Sequence, residues 1–186
     1  MHIQAKRRTS VGITLIELLV ALALVGVVLS AAGTMLLQSY ANEAAYRGQN
    51  TAQQNARTAT DTITDDLRGV VKDSLPLSPT THVQGTPLTF NFYNDAGAQQ
   101  TVSYYRHTTE NNLYRRLGTA SPVVIAQNIT AFTVTPRDAN GAVLTSNPQN
   151  VRRADVAITA TVGNAPNPVS AVTVNARATL RNYLLR

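Results

Sequence analysis

Histidine is the side chain that most readily exchanges protons and binds metals near neutral pH, and this sequence contains three. They are His2, His82 and His107, too far apart to form a local metal-binding motif. Neither H-E-x-x-H, which puts two zinc ligands on one helix face, nor the G-x-S-x-G turn of serine hydrolases occurs. Cysteine is absent, which excludes disulfides and thiolate metal sites. We therefore expect a non-enzymatic protein without a metal or a cofactor.

Two turns and two pairs of arginines carry other side chains with binding chemistry. The turns, NDAG and DANG, offer one carboxylate each, whereas a tight calcium site collects about six oxygens or more, so ordinary turns are favoured. The pairs are Arg115–Arg116 and Arg152–Arg153. Successive side chains of a strand point to opposite faces, so the two members of a pair lie on opposite sides of a sheet. Solvated edges or salt bridges are the simple interpretation, and contact with DNA is the alternative.

Glu17 lies in an apolar run that extends from Ile13 to Leu37. The only other polar residues of this run are Thr14, Ser30 and Thr34. A carboxylate in hydrocarbon costs about 2.5 kcal/mol or more. Glu17 therefore needs either a partner or access to the membrane surface.

The apolar run is long enough to cross a membrane. As a helix its 25 residues span roughly 37 Å, against a hydrocarbon core of about 30 Å. Lys6, Arg7 and Arg8 precede it and supply half of the net charge of +6, which predicts a cytoplasmic amino terminus and an exported remainder. A cleaved secretory signal would have a shorter apolar core, although SAAGT weakly resembles its cleavage site. A plain membrane anchor explains the length but not Glu17.

The stretch G-ITLIE after a short basic leader resembles the prepilin signal of type IV pilins and type II secretion pseudopilins. The resemblance implies that prepilin peptidase cuts on the cytoplasmic side, between Gly12 and Ile13, and that Ile13 becomes the N-methylated terminus. It also implies that Glu17 is an assembly charge. In lipid Glu17 is expected to have no partner, and in a fibre it pairs with a terminal amine, either its own or that of a neighbouring subunit. The family usually has phenylalanine where this chain has Ile13.

The same helix carries small residues on one stripe, where another helix can approach closely. These residues are Ala23, Gly26, Ser30 and Gly33. Apolar residues then recur at the helical period from Ala52 to Val70, which predicts one helix from about Ile13 to Lys72. We expect a weak point at Gly48, a solvated face with Asp61, Asp65 and Asp66, and a stop at Pro76 and Pro79.

Beyond the prolines the apolar period changes to two, which is typical of strands. The stretches PLTFNFYN, QQTVSYYRHT, NNLYRRLG, VVIAQNITAFTVTP (two strands, or one broken at QN), ADVAITATV and SAVTVNARATL are the predicted strands. Leu88, Phe90 and Phe92 point inward, whereas Thr173, Asn175, Arg177, Thr179 and Arg181 form a wet outer face. The predicted fold class is α+β, a long amino-terminal helix packed on an antiparallel sheet, as in pilins.

The segments NLYRRLG, VVIAQNITAFTVTPRDANG, RRADVAITATV and VTVNARATLRN resemble the minor-subunit branch, the J-type pseudopilins and W-type minor pilins. The predicted organisation is a leader at 1–12, a transmembrane and assembly helix at 13–37, an exported half of the helix at 38–75 and a β-rich domain at 76–186. The resemblance implies a minor pilin or pseudopilin that begins in the inner membrane, with other pilins, prepilin peptidase and the assembly platform as partners. A major pilin and a DNA-binding component of an uptake pilus are the alternatives.

Overall fold

The residues that the computed structural model describes are 14–71, 73–77, 81–94, 96–162 and 171–180. Within these ranges the chain forms one α-helix, α1 (Leu15–Arg68), followed by seven β-strands. The chain divides into two compact units, Met1–Glu43 and Ala44–Arg186. Helix and strands follow each other in separate blocks along the chain, which confirms the α+β class.

Helix α1 is continuous over its 54 residues and has no break at Gly48, the predicted weak point. A Cβ atom built on Gly48 would lie 2.2 Å from Cγ1 of Val162. The glycine is therefore explained by packing, because only a backbone without a side chain can approach Val162 this closely.

Helix α1 ends at Arg68, four residues before the predicted end and well before Pro76. The C=O group of Gly69 accepts a hydrogen bond of 2.9 Å from the N–H group of Tyr93. A Cβ atom on Gly69 would lie 2.7 Å from the backbone oxygen of Tyr93. The backbone at Tyr93 therefore already occupies the end of the helix. The prolines are not the residues that end α1. Pro79 lies outside the described residues.

The strands form two antiparallel sheets rather than the single sheet that we expected. They are β1 (Leu88–Tyr93), β2 (Gln99–Arg106), β3 (Leu113–Leu117), β4 (Val123–Ala126), β5 (Ile129–Arg137), β6 (Arg153–Ala160) and β7 (Val172–Thr179). The first sheet has the order β1-β2-β3-β4, and the second has the order β5-β6-β7. A short 3-10 turn, Pro148–Asn150, lies in the connection between β5 and β6.

The two sheets separate at the QN dipeptide, where one of the two predicted alternatives had a strand break. Asn128 has a φ of 59°, a left-handed conformation that asparagine tolerates better than most residues. Leu113 of β3 pairs with Ala126, the last residue of β4, and Ile129 of β5 already pairs with Ala160 of β6. The chain therefore leaves one sheet and enters the other within two residues.

A short extended segment around His82 joins the sheets through the backbone. The N–H group of His82 donates a hydrogen bond of 2.9 Å to the C=O group of Phe132 in β5. The C=O group of His82 accepts one of 3.1 Å from the N–H group of Arg106 in β2. The His82 side chain is 3% exposed and packs on the Phe132 ring, with the ring centroids 5.5 Å apart.

The core lies between the second half of α1 and the inward faces of the strands. The apolar residues of the predicted helical stripe are all buried, which confirms the period: Ala52, Ala56, Ala59, Ile63, Leu67 and Val70. The predicted inward positions Leu88, Phe90 and Phe92 are buried, and the alternate residues of the predicted strand ADVAITATV are buried as well: Ala154, Val156, Ile158, Ala160 and Val162. To this core the helix stripe contributes three alanines, and the strands contribute the large rings of Phe90, Tyr104 and Phe132.

Candidate functional site

The amino-terminal end of α1 is closed by a capping box between Thr14 and Glu17. The backbone N–H and the hydroxyl of Thr14 both donate hydrogen bonds to Oε2 of Glu17, at 3.0 and 3.1 Å. In return, the N–H group of Glu17 donates to the Thr14 hydroxyl at 3.4 Å. Two backbone donors that the first helical turn leaves unpaired are thereby satisfied.

The capping box corrects the expectation that the Glu17 carboxylate has no hydrogen-bond partner before assembly. Its Oε2 atom accepts two hydrogen bonds, and its charge lies in the first turn, where the helix dipole favours an acid. The sequence signal was present, since T-x-x-E in TLIE is the capping-box pattern, but Thr14 was not singled out. Gly12 and Ile13, the predicted cleavage site, lie outside the described residues.

The stripe of small residues lies on an exposed part of α1, and the helix runs through both of its glycines without a break. A Cβ atom built on Gly26 or on Gly33 would meet nothing within 4 Å. Glycine inside a helix costs about 0.5–1 kcal/mol relative to alanine. Packing within the described chain gives no reason for these two glycines, in contrast to Gly48.

The first half of α1 exposes large apolar side chains along its whole described length, residues 14–43. Leu15, for example, is 79% exposed, and Leu37 is 71% exposed. The helix is long and apolar enough to cross a membrane, a property that signal sequences share. A surface of this kind requires lipid or protein to cover it.

Asp66, near the other end of α1, belongs to a polar cluster at the contact between the helix and the first sheet. Nε and Nη2 of Arg115 donate hydrogen bonds to the two carboxylate oxygens of Asp66, at 2.9 and 3.1 Å. The Tyr104 hydroxyl donates to the same carboxylate and accepts a bond of 3.0 Å from Nε of Arg115. The Asp66 side chain is only 12% exposed, so its assignment to the solvated face is wrong. Asp61 and Asp65 are exposed as predicted.

The cluster keeps the Tyr104 hydroxyl un-ionised. Burial of Tyr104 and the neighbouring Asp66 carboxylate raise the pKa of the Tyr104 hydroxyl far above its usual range. Tyr104 is therefore a neutral hydrogen-bond donor at any physiological pH. A bidentate arginine together with a buried phenol satisfies the carboxylate, which makes the cluster a structural clamp between α1 and the first sheet.

The Arg115–Arg116 pair is divided in the way that strand geometry predicts, whereas Arg152 lies before the start of β6. Arg115 points toward α1, whereas Arg116 is exposed on the opposite face of β3. Nη1 of Arg152 donates hydrogen bonds to the C=O groups of Gln149 and Val151, whereas Arg153 belongs to the outward face of β6. A salt bridge, the simple interpretation, is confirmed for Arg115.

The described parts of the acidic turns have ordinary turn geometry. Oδ1 of Asp138 accepts a hydrogen bond of 2.8 Å from the N–H group of Ala142, and Gly141 has a φ of 89°. Oδ1 of Asn94 accepts one of 2.9 Å from the N–H group of Ala98. Among the described residues, no three histidine, aspartate or glutamate side chains lie close enough together to hold a metal ion.

The comparisons with known proteins leave the family open. No model of a known protein family matches the chain, and no curated protein matches it as a relative.

Proposed function

We propose that this chain is a minor pilin or pseudopilin, a structural and non-enzymatic subunit of a type IV pilus-like fibre. One observation supports this most strongly. A single helix begins with an acid in a capping box, exposes an apolar surface over residues 14–43, and then packs its second half into a β-rich core. An apolar surface of this length can be covered by lipid in a membrane and by other helices in a fibre.

The proposed route of the subunit into a fibre has two stages. In the first, the basic leader keeps the amino terminus in the cytoplasm, α1 crosses the inner membrane once, and the β-rich part lies outside. Prepilin peptidase then removes residues 1–12 after Gly12, and Ile13 is N-methylated. In the second stage the assembly platform moves the subunit into a fibre of similar subunits.

Glu17 is proposed to change partners between these stages. In the membrane its carboxylate accepts hydrogen bonds from Thr14, which lowers the cost of its burial in hydrocarbon. In the fibre it pairs with the terminal amine of a neighbouring subunit. The stripe of Ala23, Gly26, Ser30 and Gly33 gives the neighbouring helices room to approach closely.

The minor-subunit assignment follows from the motifs in the β-rich part, and a major pilin is the alternative within the same family. The abundance of the chain in sheared fibres separates the two. In the DNA-uptake alternative, the arginine pairs would contact DNA. Arg115 is paired with Asp66 instead, which leaves one basic group fewer for such a contact.

The test compares the fibre-associated and membrane-associated fractions of three variants expressed in cells. Glu17→Leu removes both the charge and the cap, whereas Glu17→Gln removes the charge and leaves an amide that can still close the capping box. Glu43→Leu removes an exposed acid farther along the same helix and is the matched control. We expect all three to be cleaved, both Glu17 variants to remain in the membrane, and Glu43→Leu to enter fibres like the parent.

Two outcomes contradict the proposal. If Glu17→Leu enters fibres as well as the parent does, the acid has no role in assembly. If Glu17→Gln enters fibres normally while Glu17→Leu does not, the acid acts only as a helix cap.

A further inference from the structure

The outward face of the second sheet has an unusual composition. Eleven of its residues on β5, β6 and β7 are five threonines, three arginines, one aspartate, one asparagine and one alanine: Thr133, Thr135, Arg137, Arg153, Asp155, Ala157, Thr159, Thr173, Asn175, Arg177 and Thr179. The four on β7 are exposed. We call these eleven residues the arginine–threonine face.

The single carboxylate of this face is already shared by two of its arginines. Nε of Arg137 donates a hydrogen bond to Oδ2 of Asp155, and Nε of Arg177 donates one of 2.8 Å to Oδ1. Partial burial opposes the effect, but these two hydrogen bonds hold the pKa of Asp155 below its usual range. Asp155 is thus ionised and has one bond on each oxygen.

Arg153 is the third arginine of the face, and it is not paired with Asp155. It lies directly opposite Arg137 on β5 and Thr179 on β7. No carboxylate within the described ranges forms a salt bridge with it. Two like charges directly opposite each other in an antiparallel pair are destabilising, so the face keeps a repulsive arrangement that an anion would relieve.

The shape of the face fits a chain-like ligand. A shallow, open depression on this face is lined by Thr135 of β5, Ala157 of β6, and Asn175 and Arg177 of β7. Three strands spaced about 4.8 Å apart give a surface about 10 Å wide, which suits one polymer strand better than a duplex.

We propose that the arginine–threonine face binds a linear acidic polysaccharide. Carboxylate groups of the polymer would pair with Arg153, Arg137 and Arg177, and its hydroxyl groups would exchange hydrogen bonds with the threonines and Asn175. None of the eleven residues is aromatic, so the face offers no ring on which nucleic acid bases could stack, as single-strand binders do. The proposal stands independently of fibre assembly.

The test measures how tightly the full-length protein in detergent micelles binds to immobilised polygalacturonate. Binding to neutral dextran and to duplex DNA is measured for comparison. Arg153→Gln is compared with Arg116→Gln, which removes an exposed arginine from the outer face of the first sheet. We expect polygalacturonate binding that weakens as salt rises. Arg153→Gln removes charge-assisted hydrogen bonds to the polymer and is expected to weaken the affinity for polygalacturonate about tenfold. Arg116→Gln is expected to leave this affinity nearly unchanged.

A second readout separates a binding role from a structural one. Because Arg153→Gln removes a like-charge contact, its unfolding temperature is expected to equal or exceed that of the parent. A lower unfolding temperature would make Arg153 a structural residue and overturn the proposal. Dextran or duplex DNA bound as tightly as polygalacturonate would overturn it as well, and so would equal losses from the two arginine variants.

Discussion

Glu17 and Asp66 are two acids on the same helix, and they are satisfied in opposite ways. Glu17 accepts its hydrogen bonds from a residue three positions away, within an exposed first turn. Asp66 accepts its own from Arg115 and Tyr104, which come from different strands of the first sheet. One acid depends only on the local helix, and the other depends on the tertiary fold.

The contrast extends to the two halves of α1. Over residues 14–43 every described side chain is exposed, so local hydrogen bonds and helix propensity alone hold this half in the folded chain. From Ala52 onward one face is buried in a core of rings and branched side chains. Substitutions in the second half should change the free energy of unfolding, and substitutions in the first half should instead change association.

The largest effect on stability is expected from Asp66→Ala. It leaves the Arg115 guanidinium without its carboxylate at a largely buried contact, which should lower the free energy of unfolding by about 3 kcal/mol. Asp65→Ala, at the adjacent exposed position, breaks only a surface ion pair with Arg68 and should cost less than about 1 kcal/mol. Urea unfolding of the full chain in detergent micelles measures both, and equal losses would refute the assignment of Asp66 to a clamp.

A smaller effect is expected from alanine at two glycines of the same helix. Gly48→Ala brings a methyl group against Val162 and should destabilise the β-rich part by about 1 kcal/mol or more. The methyl group of Gly26→Ala meets no other atom within 4 Å, so the stability of the β-rich part should be unchanged. Because the methyl group keeps a neighbouring helix farther away, incorporation into fibres should decrease. Thermal unfolding and the fibre fraction are the two readouts. A loss of stability in Gly26→Ala would contradict the separation of the two halves.

A pH dependence of stability is expected from the β-rich part, and it vanishes above the ordinary pKa of histidine. Burial lowers the pKa of His82 below its ordinary value of 6.5, and a hydrogen bond with the backbone of Thr86 only partly opposes this. The unfolded chain therefore binds this proton at a higher pH than the folded chain does. Stability should decrease as the pH falls below about 6.5, by at most about 1.4 kcal/mol per pH unit until the folded pKa is reached.

The variants His82→Phe and His107→Phe test this assignment. Replacing His82 should remove this part of the pH slope, since phenylalanine can occupy the place beside Phe132 without titrating. Replacing the half-exposed His107 should leave the slope in place. Urea unfolding at about pH 7.5 and about pH 5.5 measures it, and an unchanged slope in His82→Phe would rule out the buried histidine as its source.

The periodic parts of the fold were readable from the sequence because burial imposes a period. The stripe from Ala52 to Val70 follows the helical turn and is buried, and the alternate residues from Ala154 to Val162 follow the period of a strand and are buried too. The membership of strands in sheets was not readable. The alternation of apolar residues is the same whether β4 and β5 lie in one sheet or in two sheets that separate at Asn128. The structure has two sheets, so the prediction of a single sheet was wrong.

The polar contacts were harder to predict, for two different reasons. Asp66 and Arg115 are 49 positions apart, and no local pattern shows that the fold brings them together. Thr14 and Glu17 are three apart and follow a known capping pattern, so their contact could have been read from the sequence. The assembly role of Glu17 and cleavage after Gly12 remain predictions.

The position of the mature amino terminus tests the proposed function most directly. Intact-mass measurement of the membrane-extracted protein, from cells that contain a prepilin peptidase, should find a chain that begins at N-methylated Ile13. Gly12→Leu should accumulate as the uncleaved precursor, because a bulky side chain hinders the extended backbone that a protease requires. A parent protein that still begins at Met1, or one that begins after Ala32 as a secretory signal would leave it, would contradict the assignment to a pilin-like fibre.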